Sequence, residues 1–354
     1  MRAFDVTGEL FRIRSTARLY EIREIESMSI VLTLCVVAAA LAFSVAAVPQ
    51  TARKLKLEDR ASAGDATAQV ELAQAYTTGQ GRTKSLSQAI FWYRKAAMQG
   101  NVNAEYNLAI YYSAGEGVPK NQVEATAWFQ KAAKQGDATS QYNLGIAYRD
   151  GLGIPKDHVQ AATWYRKAAE HGLPPAQFNL GLAYQTGDGV PLDHKQAVDW
   201  FRKSADQGLA LGQYCVGLAY YKGDGLPQDY VQAAAWYRKA AEQGLSSAQN
   251  NLAAAYHKGQ GVPLAQSESA SWYRKAADHG DSNGEYNLAA DYYMGDGLPQ
   301  DYVKAFFWSS LAVHASSISV VHDAQAIQEH AREHLSPSQL RDAQKLLAQW
   351  QPIN

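Results

Sequence analysis

The segment His330-Ala331-Arg332-Glu333-His334 places two metal-ligating side chains four residues apart near the end of a 354-residue chain. On a helix that spacing brings both imidazoles to one face, as zinc requires, and the order His-x-x-Glu-His is that of an inverted metalloprotease motif. Such a site needs a third protein ligand and more surrounding chain than this terminus supplies, so the expected role is a solvated helix face. Cys35 and Cys215 are the only cysteines, which excludes a disulfide framework and a four-cysteine zinc site. Leu34 before Cys35 does not make a lipoprotein cleavage signal, and Cys215 reads as a half-buried bystander. Gly-x-Gly pairs recur from Gly79/Gly81 to Gly295/Gly297 without the Lys-Ser/Thr that a phosphate loop needs. No cofactor or metal is expected.

The remaining chemistry must be read from the elements that carry it. With 33 basic against 34 acidic side chains, the chain lacks the cationic surplus that binds nucleic acid. Its 47% hydrophobic content excludes a disordered polymer. Trp stands at 92, 128, 164, 200, 236, 272 and 308, each step being 36 residues. Gly79, Tyr76, Gly81 and Gly64 each open a series with the same step, so the array is built from seven units over 64–315.

Each unit reads as two short helices. In the second unit Ala104, Leu108, Tyr111 and Tyr112 make one apolar stripe at helical spacing. Gly115 suits a left-handed helix end, Gly117 frees the turn, and Val118-Pro119 cannot continue a helix. Asn121 with Glu124 predicts a capping box, repeated as Ser85/Gln88, Asp157/Gln160, Asp193/Gln196 and Asp229/Gln232 but lost at Ala265. The second helix then carries Ala125, Trp128, Phe129, Ala132 and Ala133, and stops at Gly136. The Trp column belongs in the core between helices. A pair this small buries one face only and must stack on its neighbours.

The pattern A-x-x-x-L-x-x-x-Y-x-x-G-x-G-V-P … A-x-x-W-[YF]-x-K-A-A-x-x-G closely resembles the Sel-one-like repeat, a relative of the tetratricopeptide repeat; Ala104–Gly136 and Ala248–Gly280 are clear examples. The first unit departs at Arg82-Thr83, the fourth mildly at Lys203-Ser204-Ala205. The last departs at Leu311-Ala312-Val313 and at Ser316, where a Gly is expected. The resemblance implies an all-α, right-handed α-solenoid of seven 36-residue helix-turn-helix repeats. Its expected function is a non-catalytic scaffold that holds a peptide or protein in a concave groove. Some members of this family were described as penicillin-binding or weakly β-lactamase-like, so an envelope enzyme or a cell-wall ligand-binding regulator is the rival reading. That chemistry needs Ser-x-x-Lys, which occurs nowhere in this chain, and the cysteine pairs of those relatives are missing.

At the N-terminus, residues 1–27 form a charged leader with five Arg and five acidic residues. Residues 28–48 follow as an expected transmembrane or signal-anchor helix, since Ser29–Val48 is twenty residues without a charge, enough to cross ~30 Å of hydrocarbon. Small residues at Ser44-Val45-Ala46 and Val45-Ala46-Ala47 also permit cleavage, and Met28 offers an alternative start. Flanking Arg and Lys are balanced across the segment, so orientation is not specified. The resemblance adds the expectation of export, with the repeats in a periplasm. Residues 49–63 read as a linker and 316–354 as a helical cap over 319–334 and 337–350, with Ser336 and Pro337 opening the second.

Partner contacts are expected on the first helix of each pair, opposite its core stripe. In the second unit, Tyr106, Ile110 and Ser113 point away from Leu108. The first column is aromatic at Tyr106, Tyr142, Phe178, Tyr214 and Tyr286, which fits either a binding face or packing between successive first helices. Asn107, Asn143, Asn179, Asn251 and Asn287 lie beside it; they fit either donation to a bound peptide, as in related tetratricopeptide clamps, or bonds to the preceding repeat's backbone. The last column varies: Ser113, Arg149, Gln185, Tyr221, His257 and Tyr293. A position that varies while its neighbours repeat is not dictated by packing, so partner specificity is expected there.

Overall fold

The computed structural model describes residues 50–313 and 318–353, in which seventeen helices and no strands are found. The charged leader and the expected membrane segment lie outside the described residues. Among the described residues no helix is long and apolar enough to cross a membrane. Residues 49–63, read as a linker, instead contain helix α1 (Gln50–Ser62), which packs on α2 (Ala66–Thr78) and buries Ala61 beside Ala68 and Leu72. The stem Leu57-x-x-x-Ala61 supplies the apolar face that a linker would lack.

The chain folds as an all-helical repeat solenoid whose described residues divide into two compact units, one ending at Ala265 and the other starting at Gln266. In the first unit α1 and α2 are followed by α3 (Leu86–Met98), α4 (Val102–Ala114), α5 (Gln122–Lys134), α6 (Ala138–Asp150) and α7 (His158–Glu170). Then come α8 (Pro174–Thr186), α9 (His194–Asp206), α10 (Ala210–Lys222), α11 (Tyr230–Glu242) and α12 (Ser246–Lys258). The second unit holds α13 (Gln266–Asp278), α14 (Ser282–Met294), α15 (Tyr302–Ala312), α16 (Ile318–Glu333) and α17 (Pro337–Gln349). There α16 lies against α14 and α15, and α17 against α15.

The helix ends are closed as the turn chemistry requires, with one difference. Gly115 ends α4 at φ +79°, and its N–H donates to the Tyr111 carbonyl. Ser85, Asn121, Asp157, Asp193 and Asp229 each accept a backbone N–H of the following turn. The returning half of the expected box is replaced: the cap residue's own N–H donates to the carbonyl of Tyr76, Tyr112, Tyr148, Tyr184 or Tyr220, at 2.8–2.9 Å. The second helix is thereby tied to the last turn of the first. Ala265 keeps that backbone bond, to Tyr256, without a side-chain cap. The complete reciprocal box occurs at Ser336 with Gln339.

Gly117 and its equivalents do more than free the turn. A Cβ on Gly189 would sit 2.0 Å from the His158 carbonyl oxygen, and one on Gly153 2.2 Å from that of Gln122. The turn of each of these repeats is pressed onto the start of the preceding repeat's second helix, where only hydrogen fits.

The core is small residues and rings. Leu72, Leu108, Leu144, Leu180, Leu252 and Leu288 are fully buried on the first helices, with Ala on the second helices against them. The deepest aromatic is not the Trp but its successor: Tyr93, Phe129, Tyr165, Phe201, Tyr237 and Tyr273 are each 1–6% exposed. Trp164, Trp200 and Trp308 are buried, whereas Trp92, Trp128, Trp236 and Trp272 are half-buried. Trp164 packs on Ala133 of the preceding repeat and on Leu144, while the Lys167 ammonium lies 4.0 Å over its ring. The same cover recurs at Lys131, Lys203, Lys239 and Lys275.

Candidate partner-binding surface

Each first helix is fixed by its Leu and by the ring beneath it, and this decides which columns are free to meet a partner. Tyr106 stands 6.1 Å from Phe129, Tyr142 5.9 Å from Tyr165, Phe178 5.8 Å from Phe201 and Tyr214 6.0 Å from Tyr237, ring centre to ring centre. These tilted pairs join the two helices of one repeat. The aromatic column therefore packs inside its own repeat and also reaches the next first helix, where Tyr142 lies against the cluster of Ala176 and Leu180 and Phe178 clusters with Val216. Tyr286 is half-buried, and burial, followed by the Asp323 carboxylate of α16, raises its hydroxyl pKa. The 100° projection placed this column opposite the Leu; the second helix wraps far enough round to reach it.

The Asn column is also engaged. Asn107 donates to the Asn103 carbonyl at 2.7 Å and Asn143 to that of Thr139 at 3.0 Å, one turn back on the same helix. Asn179 and Asn251 donate at 3.4 Å to the hydroxyls of Tyr142 and Tyr214 in the preceding repeat. The link between repeats expected here is thus made to a side chain, not to backbone. Asn287 is half-buried.

The varying column is partly open along its whole length. Ser113, Arg149, Gln185, Tyr221, His257 and Tyr293 are all half-buried. Arg149 forks onto Asp150 at 2.8 and 2.9 Å, Tyr221 lies 5.5 Å from Tyr230, and the Ser113 carbonyl accepts from Gln122 at 3.2 Å. In the second unit Tyr293 meets Tyr302 at 5.7 Å and His330 of α16 at 6.3 Å, so the cap covers it. The zinc-like pair is used similarly: His334 stacks on Tyr302 at 4.2 Å, and its Nδ1 lies 2.9 Å from the His330 carbonyl. Each imidazole faces a different ring.

Two regular contacts and one exposed column are absent from the sequence reading. Arg166, Arg202 and Arg238 donate to the hydroxyls of Tyr184, Tyr220 and Tyr256 in the following repeat at 2.5–2.7 Å, and Arg94 does so to Tyr112. Val123, Val159 and Val231 project into solvent, 61–63% exposed, at the start of successive second helices. Amides also close each repeat on itself: the exposed Gln99, Gln135, Gln207 and Gln243 after the second helices donate to the buried Gln69 at 2.9 Å, Glu105 at 2.7 Å, Gln177 at 2.8 Å and Gln213 at 2.7 Å on the first helices. The receiving residues also reach backbone, as Gln177 does to the Ala169 carbonyl at 3.2 Å. Their spacing of thirty residues was visible in the sequence, but polar columns are ordinarily assigned to solvent.

The Sel1 repeat family matches seven consecutive segments, 66–101, 102–137, 138–173, 174–209, 210–245, 246–281 and 282–317. Among solved structures, a Sel1 repeat protein from Oxalobacter formigenes is 31% identical, with a TM-score of 0.62 over 72% of this chain and 98% of that one. A protective antigen of uropathogenic Escherichia coli strains, displaying an SLR fold, is 28% identical over 83% of this chain and 85% of its own, with a TM-score of 0.49. An immunity protein from Pseudomonas aeruginosa is 23% identical over 73% and 82%, with a TM-score of 0.35. No curated protein matches.

Proposed function

Because the chain belongs to the Sel1 repeat family, whose members generally act as protein-interaction scaffolds, we propose that it is a non-catalytic scaffold for a peptide or protein partner. The observation that carries this reading is a repeated frame with one line on it that varies from repeat to repeat. Leu, ring, Asn and Arg–Tyr positions recur and are committed to packing, whereas Arg149, Gln185 and Tyr221 differ from repeat to repeat and stay partly open in the first unit. Tyr and Arg are the residue types that concentrate contact energy at interfaces.

Partner capture from envelope extract by the full chain, followed by affinity measurement with Arg149→Glu and with Tyr221→Ala, tests the assignment. Loss of affinity at unchanged stability supports it; a partner indifferent to both changes moves the site to another face. Export is part of the proposal and rests on the uncharged stretch Ser29–Val48. Residues 1–60 fused to alkaline phosphatase should give an active enzyme, and an inactive fusion removes that part.

A further inference from the structure

The amide bridges make the last member of their column conspicuous. Glu285 of α14 occupies the position of Glu105, Gln177 and Gln213, which each accept an amide N–H from a Gln thirty residues on. Thirty residues beyond Glu285 the sequence has Ala315 in place of the donor Gln, as it has His171 beyond Gln141 and His279 beyond Gln249; the Oε1 atoms of those two Gln are buried without a partner among the described residues. Glu285 is nevertheless 4% exposed. It borders a cavity of about 270 Å³ shared with Gly280, Ser282, Leu311, Trp350 and Pro352. The chain end forms the roof. The Ile353 N–H donates to the Asp278 carbonyl at 2.8 Å, and Trp350 stands edge-on to Trp308 at 6.1 Å.

We propose that this cavity is a binding site for a primary carboxamide, the head of a glutamine or asparagine side chain or of a small free amide. The Glu105–Gln135 contact is the template: a buried carboxyl receiving an amide N–H at 2.7 Å. In the cavity the same pairing would place the ligand's N–H on a Glu285 oxygen and its aliphatic stem against Leu311, Pro352 and the Trp350 ring. The state of the acid favours an amide over an ammonium. Burial, and then the neighbouring Asp281 carboxyl, push Glu285 up to about 8, so at neutral pH it holds its proton and offers one O–H and one C=O. A primary carboxamide returns one acceptor and one donor to that pair. An ammonium requires the carboxylate, which burial opposes. The inference concerns the second unit and stands independently of the varying column of the first.

The test is titration of the full chain at pH 7 with Gly-Gln-Gly, Gly-Glu-Gly and Gly-Met-Gly, following the Trp350 indole N–H by NMR and assigning it with Trp350→Phe. Propionamide forms a fourth arm. The expected result is a saturable shift with Gly-Gln-Gly, at least tenfold weaker with the other two peptides. Propionamide binding as well as the peptide identifies a free amide as the source, and tighter peptide binding identifies a side chain. Glu285→Met should abolish the shift, while Glu285→Gln, which keeps a carbonyl acceptor and folds as its neighbours do, should retain it within several-fold. No saturation by either amide, an equal response to Gly-Met-Gly, or full binding by Glu285→Met overturns the proposal.

Discussion

Phe201 is the most informative single side chain in the frame, because what lies opposite it is a glycine inside a helix. It is 1% exposed and packs on Phe178, Ala197 and Val216. Gly181, in the middle of α8, faces it so closely that a Cβ would lie 2.6 Å from ring atoms Cδ1 and Cε1. Truncating a buried aromatic costs ~3–5 kcal/mol, so Phe201→Ala should fall in that range. Gly181→Ala alone sets a helix-propensity gain of ~1 kcal/mol against an overpacking cost of ~1–3 kcal/mol, for a net loss of roughly 0–2 kcal/mol. Once the ring is gone the clash disappears, and the same Gly181→Ala change should stabilise the truncated protein by ~1 kcal/mol or more. The coupling between the two sites is then ~1–3 kcal/mol, far above the few tenths that independent sites show. Urea unfolding of parent, singles and double, followed by far-UV circular dichroism, measures it. Gly217 with Tyr237, where the gap would be 2.7 Å, offers an independent repeat of the cycle. Additivity within ~0.5 kcal/mol at both pairs refutes the idea that glycine is there to admit the ring.

Gly189→Ala must strain both its φ of +73° and its 2.0 Å approach to the His158 carbonyl, so it should cost more than ~3 kcal/mol in the same urea assay. Trp164→Ala should cost ~3–5 kcal/mol, whereas half-buried Trp236 should cost distinctly less when truncated; equal losses would restore Trp as the central core column. For Glu285 the folded acid is raised from the ordinary value of 4.5 to about 8, so its stabilising contribution is complete below the lower value and lost as pH climbs toward the upper. Glu285→Gln should therefore match the parent near pH 4 and exceed it by about 2–4 kcal/mol at pH 9; a pH-independent difference contradicts the assignment.

Much of this molecule was legible because one physical requirement is written seven times. The Gly of Gly115, the polar caps at Asn121 and Asp157, and the Leu108 stripe each state a local need that the structure meets locally. What eluded the sequence depends on contacts between elements distant along the chain. Helical projection put Tyr106 opposite Leu108, but whether that face meets solvent or Phe129 depends on how the second helix crosses. Trp128 attracts attention by its size, whereas its neighbour Phe129 lies deeper because the indole must bridge repeats under Lys131. Helix α1 was hidden by its charges, since a single buried Ala61 and the Leu57 stem suffice to dock it. Glu285 differs from its column by one functional group, and only burial makes the difference consequential.

The central claim is a recurring frame that carries one varying, half-buried line for a partner. Isothermal titration of the captured partner against the parent chain and the Arg149→Glu, Tyr221→Ala double variant tests it most directly, with thermal unfolding measured on the same samples. The account predicts at least a tenfold loss of affinity with a midpoint shifted by no more than about 1 °C, the effect of under ~1 kcal/mol in a chain this long. Unchanged affinity at that same midpoint would contradict it.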